Sequence, residues 1–180
     1  MVCEPTANHR RSIRMPGYDY REEGGYFVTL LVSRRRRAFG RVENGETRLS
    51  AYGQIAQRCW MALPDHFPHV VLDEFVVMPN HFHGILRFVT TPVGAQHAAP
   101  LHLTPHVTPG SLGAVVRSFK SAVTRQANLY RIERNLPSTT IWQRNYYERI
   151  IRDEKELHET QRYIIENPLY WEQDELYKDS

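Results

Sequence analysis

Two β-rich runs joined by three turn residues constrain this chain more than any other feature. They are Val70 to Val77, then Met78-Pro79-Asn80, then His81-Phe82-His83-Gly84-Ile85-Leu86-Arg87-Phe88. β-Branched and aromatic residues dominate both runs, and so short a connection makes the strands antiparallel neighbours. Side chains along a strand alternate between faces. Phe82, Leu86 and Phe88 therefore form an apolar stripe for a core, while His81, His83, Ile85 and Arg87 share the other face. Two histidines placed this way lie about 7 Å apart along the strand and can converge on one metal ion. A bare His-x-His is more often one satisfied and one solvated imidazole, so the pair needs support from elsewhere in the chain.

The remaining elements follow from periodicity. Gly24-Gly25 opens a strand over Tyr26–Val32, and the run Arg34–Arg37 follows as a loop. Between Leu49 and Leu63 the apolar positions Tyr52, Ile55, Ala56, Cys59 and Leu63 have helical spacing, which ends before Pro64. Ser111 can cap a helix whose apolar face is Leu112, Val115, Val116, Phe119, Val123 and Leu129. After Pro137, the second half of Ile141–Ile151 alternates like a strand. Asp153 and Glu156 then make a capping-box pattern for a helix that runs to about Asn167 and stops at Pro168. The order β, α, β, β, α, β, α predicts an α+β fold, a ferredoxin-like sandwich with a mostly antiparallel sheet and helices on one face. An irregular basic arm is expected over residues 1–22, one domain over 23–170 with a flexible loop at 90–109, and an acidic tail at 171–180. The loop histidines His97, His102 and His106 have no compact metal spacing and read as solvated.

Composition excludes some classes. With 41% hydrophobic and 24% charged residues the chain is globular, not disordered. No apolar run approaches the roughly 20 residues of a membrane span, and no signal-peptide core is present, so a cytoplasmic protein without membrane partners is expected. Cys3 and Cys59 are placed too differently to pair. The net charge is only +3, but arginines cluster: Arg10, Arg11 and Arg14 near the start, then Arg34, Arg35, Arg36 and Arg37, then Arg117 with Lys120 on the polar face of a helix. Such runs make a polyanionic partner plausible.

Support for the histidines comes from the last helix. Tyr163 and Asn167 are four residues apart and share a helical face. Brought to the histidine face of the sheet, Asn167 would add an oxygen to the two imidazole nitrogens around a divalent ion, with the Tyr163 phenol beside it. That set suits phosphoryl transfer: a cation neutralises charge developing on phosphate oxygens while the phenol oxygen attacks and forms a phosphotyrosine. A phenol ordinarily keeps its proton at neutral pH, so a nearby cation or base must help remove it. Imidazole donors extend tolerance from Mg²⁺ to Mn²⁺. Tyr146 and Tyr147 are rival nucleophiles; with Trp142 they are read instead as packing or base-stacking residues.

The pieces Met78-Pro79-Asn80-His81-Phe82-His83, Trp142-Gln143-Arg144-Asn145-Tyr146-Tyr147 and Tyr163-Ile164-Ile165-Glu166-Asn167-Pro168 resemble the REP-associated tyrosine transposases, relatives of single-tyrosine HUH transposases. The resemblance covers about residues 20–170. It implies metal ligation by His81, His83 and Asn167, with Tyr163 as the nucleophile and Mg²⁺ or Mn²⁺ as cofactor. It further implies cleavage and transfer of single-stranded DNA beside a hairpin, through a 5′-phosphotyrosine and a free 3′-OH, by a monomer or a homodimer. Insertion-sequence relatives usually carry Gln where this chain has the shorter Asn167. A hairpin-DNA-binding protein without catalysis is the alternative on the same fold.

Overall fold

The computed structural model describes residues 23–90, 110–174, 176 and 177. The arm, most of the 90–109 loop with its three histidines, Cys3, and Arg10, Arg11 and Arg14 lie outside the described residues. Strands β1 (Gly24–Leu31), β4 (Val70–Val77), β5 (His81–Phe88) and β6 (Tyr147–Ile151) form one sheet in the order β4-β5-β1-β6. Every pairing in it is antiparallel. Helix α1 (Ala51–Met61), extended by the short α2 (Leu63–His66), connects β1 to β4, and α3 (Leu112–Ile132) connects β5 to β6. This is the β-α-β-β-α-β order of the ferredoxin-like sandwich.

Each element begins where the sequence gives it a reason. Ser50 Oγ accepts from the Gly53 amide at the start of α1. Asp153 accepts from the Glu156 amide at the start of α4 (Glu154–Glu166). Glu156 returns a bond to the amide of Arg152, one residue earlier than a strict capping box requires. Ser111 stands at the N-cap of α3, but its side chain makes no capping bond. The 78–80 turn is locked by Met78 N–H to His81 O and by Phe39 N–H to Pro79 O.

The helix layer differs from expectation in one respect. The crossover helices α1 and α3 do share a face, where Trp60, Phe119 and Phe82 pack with Tyr26, Val28 and Leu30 in the main core. Helix α4 lies on the opposite face, where Ile164 and Leu157 meet Ile85, Ile151, Phe27 and Val76. The alternation of β5 demands two layers. Ile85 is fully buried although it points away from the main core, so a second apolar cover must exist on the histidine side. Polar ties flank that cover. Gln161 donates to Asp73 at the bulge in β4, and Arg149 of β6 donates to Thr160.

A hairpin of β2 (Gly40–Glu43) and β3 (Glu46–Leu49) was not expected. Its turn is Asn44-Gly45, with φ of 53° and 75°, the left-handed pair that a tight two-residue hairpin needs. The segment expected as an acidic tail also departs from that description at its start. Trp171–Gln173 forms a 3-10 turn with Trp171 buried.

Candidate active site

The histidines stand where alternation put them. His81 and His83 share one face of β5, their ring centroids 4.5 Å apart, and both are buried. Across the strands, His83 pairs with Thr29 of β1 and Val76 of β4. Its Nδ1 lies 2.9 Å from Thr29 Oγ1, and Phe27 stacks on its ring.

Helix α4 brings the other two residues to the same place. Tyr163 Oη lies 3.4 Å from His83 Nε2, and its ring meets Phe27 edge-on. Asn167, the C-cap of α4, keeps helical dihedrals in spite of the following proline, and its amide turns inward. It is 4% exposed, whereas Tyr163 is 46% exposed, so the phenol alone of the four is open to a large substrate.

One residue of the cluster carried no signal in the sequence. Asp174, just past the 3-10 turn, accepts from Asn167 Nδ2 at 2.9 Å and from the Leu176 amide at 2.6 Å. His81, His83 and Asp174 each present a donor atom, all within 4.8 Å of one another.

Tautomers follow from the partners. Asn80 Nδ2 donates to the Leu176 carbonyl, so Asn80 Oδ1 faces His81 Nδ1 at 2.8 Å and must accept from it. The proton therefore sits on Nδ1, and His81 Nε2 presents a lone pair. Burial pushes the His81 pKa down to about 4, opposed by the Asp174 carboxylate and the Asn167 amide, while Arg35 lowers it further. Burial, assisted by His81, also lowers His83 well below its usual value. Both rings are neutral at physiological pH, as metal ligation requires. The 4.0 Å approach of His81 Nε2 to Asp174 is thus not an ion pair at that pH.

Whether the residues suit a cation is tested by two orphaned atoms. His81 Nε2 and Asn167 Oδ1 are buried with no hydrogen-bond partner, and Asp174 lies beside both residues, 4.0 Å from His81 Nε2 and bonded to Asn167 Nδ2. Buried lone pairs without donors are costly, and a divalent ion would satisfy them together. The donor set fits.

The basic and aromatic candidates separate by position. Arg36 donates to the Thr140 carbonyl and supports the loop. Arg37 lies over the rings of Trp171 and Tyr177, and Arg34 is exposed. Arg34 and Arg35 both have left-handed backbone, φ 58° and 53°, next to the histidines' turn. Arg117 and Lys120 belong to α3, across the sheet from Tyr163. Lys120 donates to the carbonyls of Gln143 and Arg144 and so ties α3 to that loop. Burial lowers its pKa to about 8, which still leaves it a donor at neutral pH. Trp142 is buried between Phe39 and Phe119, which is the packing arrangement of the two that the sequence left open. Tyr146 packs against that core too, whereas Tyr147 is exposed and lies in register with Thr29 on the histidine face. Neither sits where Tyr163 does.

With this geometry in place, the architecture can be compared with known proteins. The chain has the fold of a solved REP-associated tyrosine transposase bound to a REP hairpin, with a TM-score of 0.57 at 19% identity, covering 92% of this chain and 74% of that one. The resemblance carried by the sequence motifs is met at the level of fold. The chain belongs to the family of an "Uncharacterized protein" of Haemophilus influenzae, 42% identical over 177 residues, which are 96% of this chain and 95% of the relative. No family model matches the chain.

Proposed function

We propose that the protein is a metal-dependent single-stranded DNA endonuclease and strand transferase, acting beside hairpin DNA through a phosphotyrosine on Tyr163. The observation that carries this reading is Tyr163, a half-exposed residue whose Oη lies 3.4 Å from His83 Nε2. Binding alone requires no phenol poised over two neutral imidazoles, which disfavours a purely DNA-binding role. That the solved transposase of the same fold is bound to a REP hairpin supports hairpin DNA as the substrate class.

His81, His83 and Asn167 would hold a divalent ion, Mg²⁺ or Mn²⁺, which when bound supplies positive charge to the scissile phosphate. Phe27 and Thr29 fix the His83 ring, and Asn80 fixes that of His81, so the nitrogens need no reorganisation. Tyr163 loses its proton to water as its oxygen bonds to phosphorus, and the bond to the 3′ oxygen breaks with its electron pair going to that oxygen, which takes up a proton from water. The products are a 5′-phosphotyrosine and a 3′-OH, and attack by another 3′-OH on the phosphotyrosine reverses the step. Tyr147 and Arg149, exposed on the same sheet face, offer a stacking surface and a phosphate contact beside the phenol.

The test is incubation with a REP-like hairpin oligonucleotide bearing a single-stranded flank, in Mn²⁺ or Mg²⁺. A covalent protein–DNA adduct is expected on denaturing gels. It should vanish in Tyr163→Phe while hairpin affinity stays within about twofold, because the hydroxyl contributes to the transition state and little to ground-state binding. An adduct that persists in Tyr163→Phe refutes the assignment.

A further inference from the structure

We propose that the C-terminal stretch bearing Trp171, Asp174 and Leu176 is a working part of the cation site, with Asp174 as a ligand beside His81 and His83. The proposal rests on the metal-site reading above and adds to it a residue outside the family motifs.

Two buried acceptors here have no partner, His81 Nε2 and Asn167 Oδ1, and the Asp174 carboxylate, with its side chain 5% exposed, lies 4.0 Å from His81 Nε2. The donors at this place, Asn167 Nδ2 and the Leu176 amide, are both spent on Asp174. Converging lone pairs repel one another unless a cation lies between them. The histidine and aspartate donor atoms fall within 4.8 Å of one another, about the separation of donors on opposite sides of one ion with bonds of about 2.1–2.4 Å. A carboxylate changes the chemistry of the set. Two imidazoles and an amide alone are neutral; with Asp174 the site carries a negative charge and a second oxygen, a better match to hard divalent ions.

The same stretch also prepares His81. The Leu176 carbonyl accepts from Asn80 Nδ2, which turns Asn80 Oδ1 towards His81 Nδ1 and frees Nε2 for ligation. Asn80 is thus a positioning residue whose own orientation is set from the C-terminus. The Leu176 amide meanwhile pins Asp174 Oδ1. Holding the stretch in place are the Trp171 ring beside His81, with centroids 5.8 Å apart, and the Arg37 guanidinium, 5.8 Å from the Trp171 centroid and 4.9 Å from that of Tyr177. Seating of this stretch and ion binding are therefore one coupled event.

Titration calorimetry of the full chain with MnCl₂ and no DNA tests this apart from activity. The Kd for Mn²⁺ is expected to rise about tenfold or more in Asp174→Asn, a near-isosteric change, and binding to be lost in His83→Ala. Arg37→Ala, which removes the guanidinium over Trp171 and Tyr177, should weaken Mn²⁺ several-fold by loosening the stretch, and it decides the matter if Asp174→Asn fails to fold. Wild-type affinity in Asp174→Asn, or tighter binding there, overturns the proposal while the histidine site stands; so does unchanged affinity in Arg37→Ala should Asp174→Asn not fold. A wild-type protein that binds no Mn²⁺ defeats the histidine-site reading and this proposal together.

Discussion

At the residue, the chemistry of this site is decided by which nitrogen carries a proton. Asn80 Oδ1 accepts from His81 Nδ1, so the His81 Nε2 lone pair points towards Asp174, while Thr29 faces Nδ1 of His83 and Tyr163 faces its Nε2. Keeping such rings neutral has a measurable consequence. An unfolded histidine titrates near 6.5, whereas His81 in the fold titrates near 4. Between these values the unfolded chain binds a proton that the folded chain does not, so stability falls as pH drops from about 6.5 to about 4 and levels off below. His83 acts in the same direction. Urea unfolding at a series of pH values should show this loss, and a steeper curve in wild type than in His81→Gln attributes it to the ring. Parallel curves would mean that the imidazole is not held neutral.

Among the elements, α4 carries the nucleophile on the thinnest support. Its apolar anchor is Ile164 with Leu157, resting on four sheet residues, while α3 buries six residues in the main core. Elements with few buried apolar contacts open at lower free energy. Amide exchange followed by mass spectrometry should therefore show α4 exchanging well before α3 at neutral pH, and slowing when Mn²⁺ is added. Equal protection of the two helices in the ion-free protein would contradict this ordering. The hairpin of β2 and β3 meets the end of α4 from outside: a Cβ on Gly45 would stand 2.5 Å from Cδ2 of the exposed Leu169, and the φ of 75° there favours glycine in the turn.

For the molecule as a whole, much of this was legible in the order of periodicities. The alternation of β5 sorted the histidines from Phe82 and Leu86, and a spacing of four put Tyr163 and Asn167 on one face. What stayed hidden has physical causes. Periodicity gives a face but not which side of the sheet it meets. The pairing of Tyr163 and Asn167 with the histidines needs α4 on the histidine side, whereas a single helix layer would put it beside α1 and α3. Only the burial of Ile85 and Ile164 decides between them. The β2–β3 hairpin was announced by Asn44-Gly45, but its strands are four residues each, too short for alternation to register. Trp142 looked available for stacking because an aromatic residue in a short motif has no burial written in it. Asp174 reaches the histidines through a non-repeating turn after a proline, and only the folded chain reveals that encounter.

Gly84 links the two layers. It sits between His83 and Ile85, and a Cβ there would lie 2.5 Å from Trp60 Cζ2 and 2.9 Å from Phe82 Cε1. The indole rests on bare backbone, on the side of the sheet that no substrate sees. Gly84→Ala should cost about 1–3 kcal/mol by overpacking, read as a lowered melting temperature, and should also weaken Mn²⁺ binding, because a strand pushed off Trp60 carries its imidazoles along. Unchanged melting and unchanged ion affinity together would show that the indole yields instead. The smallest side chain in the strand thus acts as a shim: one hydrogen, on the far side of the sheet, sets the level at which the reactive groups stand.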